Sequence, residues 1–223
     1  MTTVERVNKA WDRIEVWYQK NAPKWELPKG ATDEEIDDLA AHLKVTFPEE
    51  LRVSLKRHNG TEDGQWARVS LNSTKRIKSE WNTWTDLLKE GLFDDSTAES
   101  DGTYQAKYWC ESWVPIDANG GGDGYIMDLA PGPKGKIGQI LFLDHEEGPS
   151  GPKYPDYAGY LENIAEKLEK GNYTVIDNYL EETIASDKEE EGEGDEGESE
   201  GEEEGDEEED EEEEKEAKKK VKK

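Results

Sequence analysis

Apolar side chains recur at helical spacing toward both ends of the chain and at strand-like density in its middle. Val4, Val7, Trp11, Ile14 and Tyr18 step by three and four residues, which sets them on one face of a helix, and Thr2 with Glu5 forms a capping box at its start. Pro23 ends that helix. A second box, Thr32 with Glu35, precedes Ile36, Leu39 and Leu43. Pro48 suits the first turn of a third helix that carries Leu51 and Leu55 and closes at Gly60, where His58 and Asn59 help to end it. Residues 67–71 read as a strand, Ile77, Trp81, Trp84 and Leu88 as a fourth helix, and the polar residues 94–103 as a mobile loop. From 109 to 146 the pattern changes. Trp109, Trp113 and Ile116 give strand bulk, residues 119–124 cannot hold regular structure, residues 125–129 resume extended, and residues 131–138 turn again before a third strand over 137–143. This predicts a meander with glycine-rich corners. Beyond it Tyr157, Leu161, Ile164 and Leu168 form one helical stripe, and Tyr173, Ile176, Leu180 and Ile184 a second, with Gly171 between them.

Charge divides the chain. Residues 189–214 contain only Glu, Asp, Gly and Ser, so no apolar surface offsets the entropy of ordering, and a disordered, self-repelling tail is expected over 187–223 behind one folded domain over 1–186. That segment holds 22 acidic and 7 basic residues, a net −15 of the chain's −28, and leaves −13 on the folded part. The tail is expected to act as a solubilising tether; the sharper alternative is that it recruits or shields basic proteins, or that its terminal lysines fold back on its own acids. An anionic domain repels nucleic acid and membrane headgroups and attracts basic protein partners, so the expected partner is a basic protein, with neither nucleic acid nor membrane. Cys110 has no second cysteine to pair with, which favours a reducing cytoplasm. The N-terminal residues lack an apolar signal region, and no run approaches a membrane span.

Candidate chemistry is sparse. Gly120, Gly121, Gly122 and Gly124 suggest a tight turn, not a phosphate cradle, because no Gly-Lys-Ser or Gly-Lys-Thr follows and no strand-to-helix junction surrounds them. Asp117, Asn119, Gly122, Asp123 and Asp128 fall on positions one, three, six, seven and twelve of a calcium-loop template, but position five is Gly121 and position twelve lacks the longer glutamate. Metal and cofactor are therefore not expected. His42, His58 and His145 have no zinc-ligand spacing, and nucleophile motifs are absent, so no catalytic residues are assigned. Of the eight tryptophans, Trp25 and Trp66 lie in polar, proline- and glycine-containing stretches and are the surface candidates. Together with Asp117 and Asp123 they are the candidate partner-binding residues.

The order Trp-x-Pro-Ile from Trp113, Gly-Gly-Gly-Asp from Gly120, Ile-x-Asp-Leu from Ile126, Pro-Gly-Pro-x-Gly from Pro131 and Gly-Gln-Ile from Gly138 resembles the SUKH superfamily, in particular its Smi/Knr-type branch. Gly-Ala-Thr-Asp-Glu-Glu-Ile from Gly30, Phe-Pro-Glu-Glu-Leu from Phe47, His-Asn-Gly from His58 and the helix over 157–173 extend the likeness to about residues 4–173. The resemblance implies an α+β fold, with one mixed, largely antiparallel sheet flanked by N- and C-terminal helices. It implies binding without catalysis, and two roles follow from it. The first expectation is an immunity-type protein that sequesters a toxin domain by occupying its basic substrate groove; the alternative is a regulatory scaffold of cell-wall assembly or signalling.

Overall fold

The computed structural model describes residues 1–61, 71–94, 96, 98–176 and 179–182. Trp66, most of the strand expected over 67–71, Ile184 and the acidic tail lie outside the described residues. Four helices come first. In α1 (Thr3–Asn21) the Thr2 hydroxyl accepts the Glu5 amide at 3.2 Å while the Glu5 carboxylate takes the Thr2 amide at 2.7 Å, so two of the amides a helix start leaves unpaired are satisfied. Thr32 and Glu35 repeat the device at α2 (Asp33–Leu43). α3 (Glu49–Arg57) starts after Pro48 and stops at His58, two residues before the expected Gly60. α4 (Thr74–Lys89) is capped by Ser73.

The middle of the chain forms β1 (Trp113–Pro115), β2 (Gly124–Asp128), β3 (Gln139–Asp144) and β4 (Gly148–Tyr154), paired in that order and all antiparallel. The α+β class holds, and the expected mixed, largely antiparallel sheet is observed as a four-stranded sheet with every pairing antiparallel. β4, of sequence Gly-Pro-Ser-Gly-Pro-Lys-Tyr, has no strand-like composition. It occupies the edge of the sheet, where a proline's missing N–H costs no ladder bond. Leu71 pairs with Asp117 beyond the end of β1. α5 (Tyr157–Glu169) follows, its first turn capped by the Asp156 carboxylate on the Gly159 amide at 2.7 Å.

One expected element is corrected. Where Tyr173, Ile176, Leu180 and Ile184 suggest a helical stripe, the chain makes a hairpin of β5 (Tyr173–Ile176) and β6 (Tyr179–Glu182). The physical reason is in β5 itself: Tyr173, Thr174, Val175 and Ile176 are all aromatic or β-branched, and such side chains lose rotamer freedom in a helix but fit a pleat.

A single apolar cluster joins these elements. α1 lies against α5 and α3, and the Trp11 indole donates to the Ser54 hydroxyl at 2.9 Å, which in turn meets the Tyr157 hydroxyl at 3.1 Å. One buried polar chain thus fastens three helices. Trp113 sits fully buried under the sheet and Trp109 beside it, with ring centroids 5.9 Å apart. Burying each side chain of this size stabilises the fold by roughly 3 kcal/mol, before the cost of ordering it. Around the rim Arg6 reaches Glu162 at 2.5 and 2.9 Å and Asp156 at 2.8 Å, which clamps α1 to the start of α5.

Candidate functional site

The loop between β1 and β2, residues 116–123, brings two of the four candidate residues together and sends their carboxylates in opposite directions. Asp117 turns inward. Its Oδ1 accepts the Tyr125 amide at 2.5 Å and its Oδ2 accepts the hydroxyl of Tyr160, a buried residue on α5. Tyr125 and Tyr154 pack on Tyr160 with centroids 5.0 and 5.4 Å away, so the carboxylate is walled by aromatic rings. Burial pushes the Asp117 carboxyl up to about 6 against the opposing pull of its two hydrogen bonds. Burial, and then Asp117 itself, holds the Tyr160 hydroxyl well above its ordinary range. Gly124 is required here for a steric reason, since a Cβ would collide with the Asp117 carbonyl oxygen.

Asp123 turns outward. Its Oδ1 accepts the His145 amide at 3.0 Å and meets His145 Nδ1 at 2.7 Å, while its Oδ2 accepts the Asn119 side-chain amide at 2.8 Å. The Asn119 side-chain oxygen Oδ1 accepts the amides of Gly121 and Asp123, so the glycine corner is held by an Asx turn, and the Asp123–His145 contact pins it to the corner between β3 and β4. His145 holds the Asp123 carboxyl below the usual carboxylate range, and Asp123 raises His145 in return. Asp123, Asp144 and His145 are the group among the described residues whose ligand atoms, all within 4.8 Å of one another, could share a metal. Asp144, however, already accepts the amides of Glu146 and Glu147. The calcium template does not assemble. Asp128 is fully buried and takes three donors, Trp113 Nε1 at 3.0 Å, the Ala130 amide at 2.9 Å and Gln139 Nε2 at 3.0 Å. Asp117 and Asp128 thus spend their oxygens on the protein's own donors, and neither shares a centre with Asp123.

Trp25 is a correction. It is 9% exposed, packs on Tyr18 with centroids 6.3 Å apart and belongs to the core cluster. The segment that carries it folds back over α1 and α3. The Trp25 amide bonds the Ala22 carbonyl at 2.9 Å, Ala31 bonds Leu55 at 2.8 Å, and Asn59 bonds Lys29 at 3.2 Å. Gly30 lies so close to the Lys56 carbonyl that any side chain would clash. His58 completes the anchor, with Nδ1 2.7 Å from the Pro28 carbonyl and Nε2 2.9 Å from Glu15. One edge of Trp25 still borders a groove of about 610 Å³ with Pro23 and Leu27. A second groove, of about 640 Å³, runs between α1 and the end of α5 beside Val16, which is 63% exposed, and Trp17. The tyrosines around Asp117 were not expected from sequence, because nothing near Asp117 in the chain points to Tyr160.

Structure and geometry together define a helix-backed, four-stranded antiparallel α+β domain whose buried acids serve as internal struts. The chain matches the SMI1 / KNR4 family (SUKH-1) over residues 30–170 and belongs to that family. It is similar to the Glucan synthesis regulatory protein of Neurospora crassa, 24% identical over 210 residues that cover 76% of this chain and 40% of that protein. It is likewise similar to the Cell wall biosynthesis/cell cycle regulator smi1 of Schizosaccharomyces pombe, 27% identical over 188 residues, 76% of this chain and 37% of that one. The Cell wall assembly regulator SMI1 of Saccharomyces cerevisiae is 24% identical over 210 residues, 76% and 42% of the two chains. The chain therefore spans only about 40% of the length of the first of these relatives. Their names describe regulators, which supports the regulatory alternative better than the immunity-type expectation. No helix among the described residues is long and apolar enough to cross a membrane.

Proposed function

We propose that this chain is a regulator, as its fungal relatives' names call them, and that it acts as a protein-binding module, by docking and not by catalysis. The observation that carries the reading is the likeness to three regulators over 76% of the chain. The geometry agrees with it. A catalytic acid or base must face a space that substrate can enter. The two carboxyls that burial raises, Asp117 and Asp128, face inward to Tyr160, Trp113 and Gln139, and Asp123 lies locked to His145. Their hydrogen bonds make a rigid platform, and the grooves along α1 offer the apolar recesses that protein partners use.

The test replaces the matching region of the Saccharomyces cerevisiae regulator with this chain and measures growth under cell-wall stress in a strain that lacks the native protein. Growth above the deletion strain is expected, together with loss of rescue when Trp113→Ala breaks the core. A chimera that accumulates as folded protein yet grows no better than the deletion strain would overturn the proposal.

A further inference from the structure

α1 and α5 run side by side in the same direction, with Arg6 on Glu162 and Arg13 on Glu169, so the last turns of α1 extend past the end of α5. There they face Gly171 and the start of β5 across the groove of about 640 Å³. Its apolar lining is left open: Val16 is 63% exposed and Trp17 only half-buried, with Leu168 beside them. A Cβ placed on Gly171 would meet no atom within 4 Å, so the space over that residue is empty of the described side chains. Charge does not define the recess. Of the charged side chains that line it, Arg13 is held by Glu169 and Asp12 by Arg57, which leaves Lys20.

The β5–β6 hairpin aims its own continuation at this space. Tyr173, which lines the groove, pairs with Glu182, and Val175 pairs with the fully buried Leu180. Carried two residues past its last pair, the same antiparallel register would set Ile184 opposite Gly171 and on the face of Leu180, because side chains alternate along a strand. Two residues reach about 7 Å at most, which keeps Ile184 beside the groove that Tyr173 borders. Residues 183–186, Thr-Ile-Ala-Ser, lie outside the described residues and carry the last apolar side chains before the purely polar run over 189–214. We propose that this segment straps back into the groove between α1 and the end of α5, with Ile184 over Gly171 and against Val16 and Trp17. A tether this short presents its side chains at an effective concentration on the order of millimolar or more, which a free partner does not match. The strap does not depend on the regulatory reading, and a partner that takes this groove must first displace it.

Urea unfolding of the full chain, followed by tryptophan fluorescence, compares the wild type with Val16→Ala, Ile184→Ala and the variant that carries both. With nothing over it, an exposed side chain such as Val16 is shortened at almost no cost. Beneath the strap, each single change should lower the folding equilibrium constant by about fivefold or more. The pair should lose clearly less than the product of the two, because both remove the same contact. The indole N–H resonance of Trp17, assigned from its loss in Trp17→Phe, should shift in Ile184→Ala and stay in place in Thr183→Ala, whose side chain takes the opposite face of the strand. A Val16→Ala protein as stable as the wild type, losses that multiply in full, or a Trp17 resonance unmoved by Ile184→Ala would each overturn the proposal. Growth of the yeast chimera enters none of these readouts, so the regulatory reading stands or falls separately.

Discussion

Replacing Asp117 by Asn should stabilise the protein increasingly as pH rises, because the wild-type carboxylate is buried as a charge. The native carboxyl titrates near 6, against about 3.9 in an unfolded chain. Between those values the native state binds the extra proton, so the wild type loses stability as pH climbs from about 4 to above 6. At 1.36 kcal/mol per pKa unit the full span is about 3 kcal/mol, reached by about pH 7. Asparagine carries no charge at any of these pH values, and it keeps the local geometry: its oxygen accepts the Tyr125 amide and its NH2 donates to the Tyr160 oxygen, which then accepts in place of donating. Urea unfolding of both proteins at matched ionic strength, repeated from pH 4 to 8 and followed by tryptophan fluorescence, gives the difference in stability. Glu15, Asp33, Asp123, Glu166 and Glu169 are all held below their usual range and lose their contribution as pH falls, but both proteins share that loss and it cancels. The difference should move by about 2–3 kcal/mol in favour of the Asp117→Asn variant between pH 4 and 7. A difference that does not change with pH would refute the buried-charge account, as would an Asn variant that grows relatively weaker as pH rises.

Three further outcomes follow from the same site. Asp128→Ala leaves Trp113 Nε1, the Ala130 amide and Gln139 Nε2 without their acceptor, and at about 1–3 kcal/mol for each orphaned donor the loss in urea unfolding should exceed about 3 kcal/mol. Gly124→Ala drives a Cβ into the Asp117 carbonyl, so it should lower stability by more than about 1 kcal/mol and shift the Tyr160 ring resonances in proton NMR. His145, raised by Asp123, should lose its proton at a pH above that of an unperturbed histidine and return toward the ordinary value in Asp123→Asn; its folded-state stabilisation is present at low pH and fades as pH rises through that titration.

Elements fixed by local chemistry were legible in the sequence. The Thr2–Glu5 and Thr32–Glu35 boxes require only residues three apart, and both appear with both hydrogen bonds made. The glycine corner after Ala118 was legible for the same reason, since its conformation is set within Asn119 to Asp123. Where two local signals competed, tertiary context decided. The three- and four-residue steps of Tyr173, Ile176 and Leu180 fit a helix, the β-branched run within them fits a strand, and the chain took the strand. β4 gave no signal at all, because it exists through pairing with β3 and its own residues would turn elsewhere.

The candidate site was legible as positions but not as directions. Asp117 and Asp123 stand six residues apart in one loop, and their spacing alone made them look like partners in a shared task. What separates them is the arrival of α5. Tyr160, 43 residues downstream of Asp117, brings a hydroxyl under the loop and draws one carboxylate inside, while His145 on the neighbouring corner holds the other at the surface. Trp25 was misplaced by the same kind of cause: its neighbours are polar in sequence, yet backbone bonds from Ala31 and Asn59 close its segment over α1. Long-range contacts of this sort turn Asp117 and Asp128 into internal struts and place Trp25 in the core, which no local pattern in an acidic, tryptophan-rich chain announces.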